Sequence, residues 1–139
     1  MAFKIFLDAN ILLDFTLKKT ACIDCKKIIE LAVNGQVQAY IIPSIVHIVG
    51  YWLTKTYGAD KAKELLHTLL SDIYVIDISH QTAVAALLYK ISGIEDALQY
   101  YTALHYRLNY FISLDKKFQK AGIATLPIYT PQEFLQEIV

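Results

Sequence analysis

At 139 residues, 55% of them hydrophobic, the chain is long enough for one domain with a substantial core, yet no apolar run reaches the roughly 20 residues of a membrane span. Thirteen Lys and Arg balance thirteen Asp and Glu, and a net charge of zero excludes a nucleic-acid binder that works through a general basic field, so any such role must rest on a local site. The opening "MAFKIFLDANILLDF" carries one Lys, and an acid interrupts its apolar stretch, unlike a secretory leader. The reading is therefore a cytoplasmic protein, a single domain over 1–139, with no membrane segment. Its apolar surplus (mean hydropathy +0.37) points to a buried interface, as in a homodimer.

In chain order, "FKIFL" predicts a strand over 3–7 and "ANILLDFTL" a helix over 9–17. A helix over 21–34 follows, closed by "NG". Its first turn holds Cys22 and Cys25 as a C-x-x-C. With no second Cys pair to complete a zinc site and no strand before it, the expectation is two reduced thiols. "VQAYII" predicts a strand over 37–42, and Pro43 opens a helix to about Tyr57. A helix over 60–71 precedes a strand over 73–78 that carries Asp77, and a helix over 79–91 comes next. A longer helix over 92–108 places Ile94, Ala97, Leu98, Tyr101, His105 and Leu108 on one face, which makes His105 a packed core residue. "NYFISLD" predicts a strand over 109–115. A short helix, a strand at "TLPIY" and a final helix at "PQEFLQEI" end the chain. Strands separated by one or two helices imply an α/β fold: a three-layer arrangement with a central parallel sheet of four or five strands. Such sheets bind ligands beyond the carboxyl ends of their strands.

Acids stand there. Asp8 ends the first buried strand, where desolvating a carboxylate is costly unless something compensates it. Capping the next helix is the simplest compensation. Asp115 repeats the pattern after "YFISL", and Ser113, two residues earlier, lies on the same side of the strand. Ser92 and Glu95 read as a capping box, which leaves Asp96 unexplained at the margin of the buried face. Three carboxylates gathered at strand ends repel one another, and a hard divalent cation such as Mg²⁺ or Mn²⁺ removes the repulsion.

With "IFLDANILLDF", "IEDALQYYTAL", "NYFISLDKKF" and "LPIYTPQEFL", the chain resembles PIN-domain ribonucleases over nearly its whole length, especially the VapC-like toxins of toxin–antitoxin pairs. The resemblance implies a metal-dependent endoribonuclease that cuts single-stranded RNA. Asp8, Asp96 and Asp115 would hold Mg²⁺ or Mn²⁺, with Ser113 beside them as a fourth catalytic-site residue. It also implies a homodimer, and a small antitoxin as protein partner. One departure stands out: the family's glutamate early in the helix after the second strand is matched by Ile48 in "PSIVHIVGYWL". Glu95, Asn10 and Asp14 are the residues placed to reach the site through the metal's waters. The rival expectation, favoured by Ile48, is a PIN-like module that no longer cleaves and serves as a binding or regulatory partner. A haloacid-dehalogenase-like reading of "LDANILLD" fails because Asn10 stands where that chemistry needs an acid, and no acid pair follows the first strand as a receiver domain requires.

Overall fold

The computed structural model describes residues 2–17 and 22–138. Five strands build one sheet: β1 (Phe3–Leu7), β2 (Val37–Ile41), β3 (Ile73–Val75), β4 (Tyr110–Ile112) and β5 (Ile128–Tyr129). Every pairing is parallel, and the order is β3-β2-β1-β4-β5. The helices are α1 (Ala9–Leu17), α2 (Ile23–Val33), α3 (Pro43–Tyr57), α4 (Ala59–Leu69), α5 (His80–Leu88), α6 (Ile94–His105) and α7 (Pro131–Ile138), with a 3-10 turn at Phe118–Ala121. This is the predicted α/β fold, a central parallel sheet flanked by helices. None of the described helices is long and apolar enough to cross a membrane.

Buried parallel strands read as continuous apolar runs, because helices cover both faces. Ile5, Phe6 and Leu7 are fully buried, as are Phe111 and Ile112 of the neighbouring strand, and the Phe6 and Phe111 rings stack at 5.0 Å. From β1 the chain winds outward to β2 and β3, then crosses back to β4 and β5 on the other side. The order therefore reverses between β1 and β4, and a crevice opens at such a switch point beyond the carboxyl ends of the strands. Asp8 directly follows β1, and Asp115 lies three residues past β4. The two acids thus flank the switch point, on neighbouring strands as the alternation of elements predicts.

Four sequence expectations are corrected. First, Cys22 and Cys25 are joined in a disulfide rather than standing as thiols. Cys22 is the N-cap residue of α2 and Cys25 lies in its first turn, so their Cα atoms come within 5.3 Å, inside disulfide range. Ala21, the first residue expected in that helix, lies outside the described residues. Second, no capping box forms at Ser92. Gly93 is the N-cap residue of α6 without a side-chain cap, and the Glu95 carboxylate bonds elsewhere. Third, α6 buries Ala97 as expected, but the rest of its inward face is turned from the expected one. Ala97, Gln99, Tyr100, Thr102 and Ala103 turn inward, whereas Ile94 and His105 are exposed. Apolar periodicity undervalued Gln99 and Thr102, and Tyr100 fixes the orientation: its hydroxyl donates to the Leu126 carbonyl at 2.6 Å and accepts from the Ile123 amide at 3.0 Å. Fourth, β3 stops at Val75, so Asp77 lies beyond the strand. The Asp77 carbonyl accepts the Tyr106 hydroxyl.

Candidate active site

Asp8 is 7% exposed, and hydrogen bonds tie it to β4. Its amide donates to the Ile112 carbonyl at 3.0 Å, which carries the β1–β4 pairing one residue further. Its carboxylate accepts the Ser113 hydroxyl at 2.8 Å and the Asn10 side-chain amide at 3.4 Å. Asn10 Nδ2 also lies 3.3 Å from Ser113 Oγ, and Asn10 Oδ1 accepts the Leu114 amide at 3.2 Å. Ser113 is fully buried, and its Oγ accepts the Asp115 amide at 3.1 Å. One hydroxyl thereby links the two strand-end acids. The strand alternation invoked for Ser113 and Asp115 is not what joins them. β4 has ended by then, and a short hydroxyl-centred turn carries the chain from the buried serine to the exposed acid. Asp115 in turn accepts the Lys117 amide at 3.0 Å.

Burial pushes the Asp8 carboxyl up to about 6. The Ser113 hydrogen bond opposes the shift, the charge of Asp96 adds to it, and the amides of Asn10 and Ala9 oppose it further. The capping role and the strand-end role thus coexist in Asp8. Asp96, on the first turn of α6, is half-buried and also titrates above the ordinary carboxylate range, through burial first and then the charges of Asp115 and Glu95. The Asp96 charge bears on Asp8, the more deeply buried of the two. Gly93 makes room for Asp96, since a Cβ at that position would stand 3.1 Å from Asp96 Oδ2.

Glu95 is held by two residues that sequence reasoning missed. Its Oε2 accepts the Ser44 hydroxyl at 2.8 Å from the first turn of α3 and the Gln99 amide at 3.1 Å from one turn along α6. The available signal was the i, i+4 spacing of Glu95 and Gln99. Gln99 is 1% exposed, and its Oε1 has no hydrogen-bond partner. Ile48 lies one turn beyond Ser44 on α3 and packs against the core, so this helix offers the neighbourhood a hydroxyl and a methyl-bearing side chain instead of an acid. A cleft of about 660 Å³ opens beside Ser44, with Asp77, Thr82, His105 and Tyr106 among its walls.

Asp14, on α1, has its carboxylate within 4.8 Å of the sulfurs of Cys22 and Cys25. That trio is the only group of three His, Cys, Asp or Glu residues so tightly clustered among the described residues. Asp8, Asp96 and Asp115 are coupled by charge across a wider site. Such spacing suits a hard cation that keeps several of its own waters and touches only one or two carboxylates, and the all-oxygen donor set matches its chemistry.

Among known structures, three toxins or toxin–antitoxin complexes share the fold. VapBC2 from Rickettsia felis, solved with a DNA fragment from its promoter, superposes with a TM-score of 0.71 over 92% of this chain and 98% of that one, at 19% identity. A toxin–antitoxin complex from Klebsiella pneumoniae gives 0.64 over 88% and 94%, at 24% identity. VapC20 from Mycobacterium tuberculosis, a sarcin–ricin-loop-cleaving toxin, gives 0.67 over 88% and 98%, at 14% identity. No curated protein matches the chain by sequence. The sequence model of the PIN domain matches residues 4–117, from the first residues of β1 to just beyond Asp115 and so across every acid described above. The chain belongs to the PIN-domain family.

Proposed function

We propose that the protein is a metal-dependent endoribonuclease acting on single-stranded RNA in the cytoplasm, the toxin of a toxin–antitoxin pair with a small antitoxin as its protein partner. The observation that carries the reading is the buried Asp8 carboxylate. It is bonded to Ser113, coupled by charge to Asp96, and set at the switch point of the sheet opposite Asp115. Asp8, Asp96 and Asp115 would hold Mg²⁺ or Mn²⁺, which when bound supplies an activated water and stabilises the leaving oxygen of a phosphodiester. Ser113 and Asn10 orient the Asp8 carboxylate and exclude bulk water from its inner face. Ser44 and Gln99 hold the Glu95 carboxylate, and its charge, felt at Asp96, adds to the field that attracts a cation. The cleft beside Ser44, the residue that bonds Glu95, is a candidate path for a single strand. Cleavage of single-stranded RNA in Mn²⁺, lost in Asp8→Asn, is the expected result. Intact RNA with both proteins would sink the reading.

A non-cleaving binding module is the second reading, and Ile48 favours it by leaving the site one carboxylate short of the pattern the resemblance implies. An inactive protein that still binds RNA or an antitoxin would select it. Self-association into a homodimer also belongs to the proposal. Tyr51, Trp52 and Leu70 are exposed, Leu66 beside them is half-buried, and Val84, Leu87 and Leu88 add a second apolar strip on α5. A monomer mass by light scattering at tens of micromolar would count against the dimer.

A further inference from the structure

The C-x-x-C pair lies outside the nuclease network. The disulfide closes a ring of only four residues, so it restricts the unfolded chain little, and stapling is a weak reason for its presence. Its two sulfurs also differ in setting. Cys22 is the partly exposed N-cap residue of α2, and its Sγ accepts the Cys25 amide at 3.1 Å. A sulfur so placed holds negative charge well, because a helix amide and the helix N-terminus both favour the thiolate. Cys25 is completely buried in the core, among residues no external thiol reaches. The Asp14 carboxylate, delivered from α1, lies within 4.8 Å of both sulfurs. One accessible sulfur, one buried sulfur and an adjacent carboxylate are the parts that thiol–disulfide exchange requires.

We propose that Cys22 and Cys25 form a thiol–disulfide exchange site, with Cys22 the sulfur that exchanges with external thiols, Cys25 the internal partner and Asp14 the proton acceptor for Cys25. In the reducing direction an external thiolate, such as that of glutathione, attacks Cys22 Sγ. The Cys22–Cys25 bond breaks, a mixed disulfide forms on Cys22, and Cys25 leaves as a thiolate that takes up a proton. A second glutathione thiolate attacks the glutathione sulfur of that mixed disulfide, releasing Cys22 as thiolate and glutathione disulfide. Two electrons thus pass to the protein. In the oxidising direction the Cys25 thiol gives its proton to Asp14 and attacks Cys22 Sγ, and glutathione departs as a thiolate that is protonated by solvent. The site does not depend on the nuclease reading.

Incubating the full-length protein in glutathione buffers of graded redox ratio, quenching with an alkylating agent and reading the products by mass spectrometry tests this. The native, folded protein is expected to pass reversibly between disulfide and dithiol. Cys25→Ala should accumulate a glutathione adduct on Cys22, and Cys22→Ala should gain none on Cys25. Should Cys25→Ala fail to fold, Cys25→Ser, which retains a γ heavy atom, is the second variant. Asp14→Asn, checked for an unchanged melting curve, should slow release of glutathione from Cys22 about tenfold or more. It should not slow alkylation of Cys22, since removing a neighbouring negative charge favours the thiolate. A disulfide that resists millimolar glutathione while the protein stays folded would overturn the proposal. So would an adduct forming on Cys25, or a reduced pair that retains one zinc ion per chain and no longer exchanges. Unchanged release in Asp14→Asn would remove Asp14 from the site.

Discussion

Replacing Asp8 by Asn separates a metal-site carboxylate from a helix cap. Burial raises the Asp8 carboxyl in the folded protein from the ordinary 3.8 to about 6. The folded state therefore holds a proton that the unfolded chain has already released between those values. This contribution to stability is fully present below about pH 4 and is lost as pH rises through about 6. At about 1.4 kcal/mol per pH unit, the interval amounts to about 3 kcal/mol of destabilisation at neutral pH without metal. Asn removes the charge, still accepts the Ser113 hydroxyl, and caps α1 about as well as Asp. Unfolding entropy for 139 residues is about 0.3 kcal/mol/K, so metal-free Asp8→Asn should melt about 10 °C above the wild type at pH 7.5 and about level with it near pH 4. Saturating Mn²⁺ should stabilise the wild type, by about 2.7 kcal/mol at one hundred times the dissociation constant, and leave Asp8→Asn unmoved. Differential scanning calorimetry at the two pH values, with and without Mn²⁺, reads all of this. A variant that melts no higher than wild type at pH 7.5, with the same Mn²⁺ response, would show that Asp8 only caps a helix.

Ser113→Ala should cost about 1–3 kcal/mol in urea unfolding, because it strips a buried hydroxyl from Asp8, Asn10 and the Asp115 amide together; a change within error would mean water replaces the hydroxyl. The same variant should move the Asp8 titration still higher, since the Ser113 bond holds it down, and a carboxyl-resolved NMR titration would register the shift. Ile48→Glu should tighten Mn²⁺ binding by calorimetry, and no gain would mean that this turn of α3 does not face the metal. Thr102→Val should raise the melting temperature by a few degrees, because Thr102 is fully buried and its hydroxyl has no partner, while valine keeps the shape without the polar group. A fall in melting temperature would reveal a hidden partner for that hydroxyl.

Local patterning carries the fold in this chain. Apolar runs such as "KIFL" and "YFI", separated by helical periods, require a parallel sheet with both faces covered, and an acid at the end of such a run announces a site because burying it is so costly. Asp8 stood out for that reason, Asp96, Ser113 and Asp115 were singled out beside it, and the family resemblance supplied the chemistry proposed to join them. What the sequence left open depends on how elements meet. Which face α6 buries was decided by Tyr100 reaching the Ile123–Leu126 loop and by Glu95 reaching Ser44 on α3, contacts between residues 23 to 51 positions apart. Apolar spacing weighs neither a buried Gln nor a tyrosine hydroxyl, so His105 was misassigned and the clamp on Glu95 went unseen. The cysteine pair followed the same rule. Its spacing was visible, but the approach of Asp14 from α1 and the burial of one sulfur with exposure of the other are products of packing, which alone sets the environment of a reactive group.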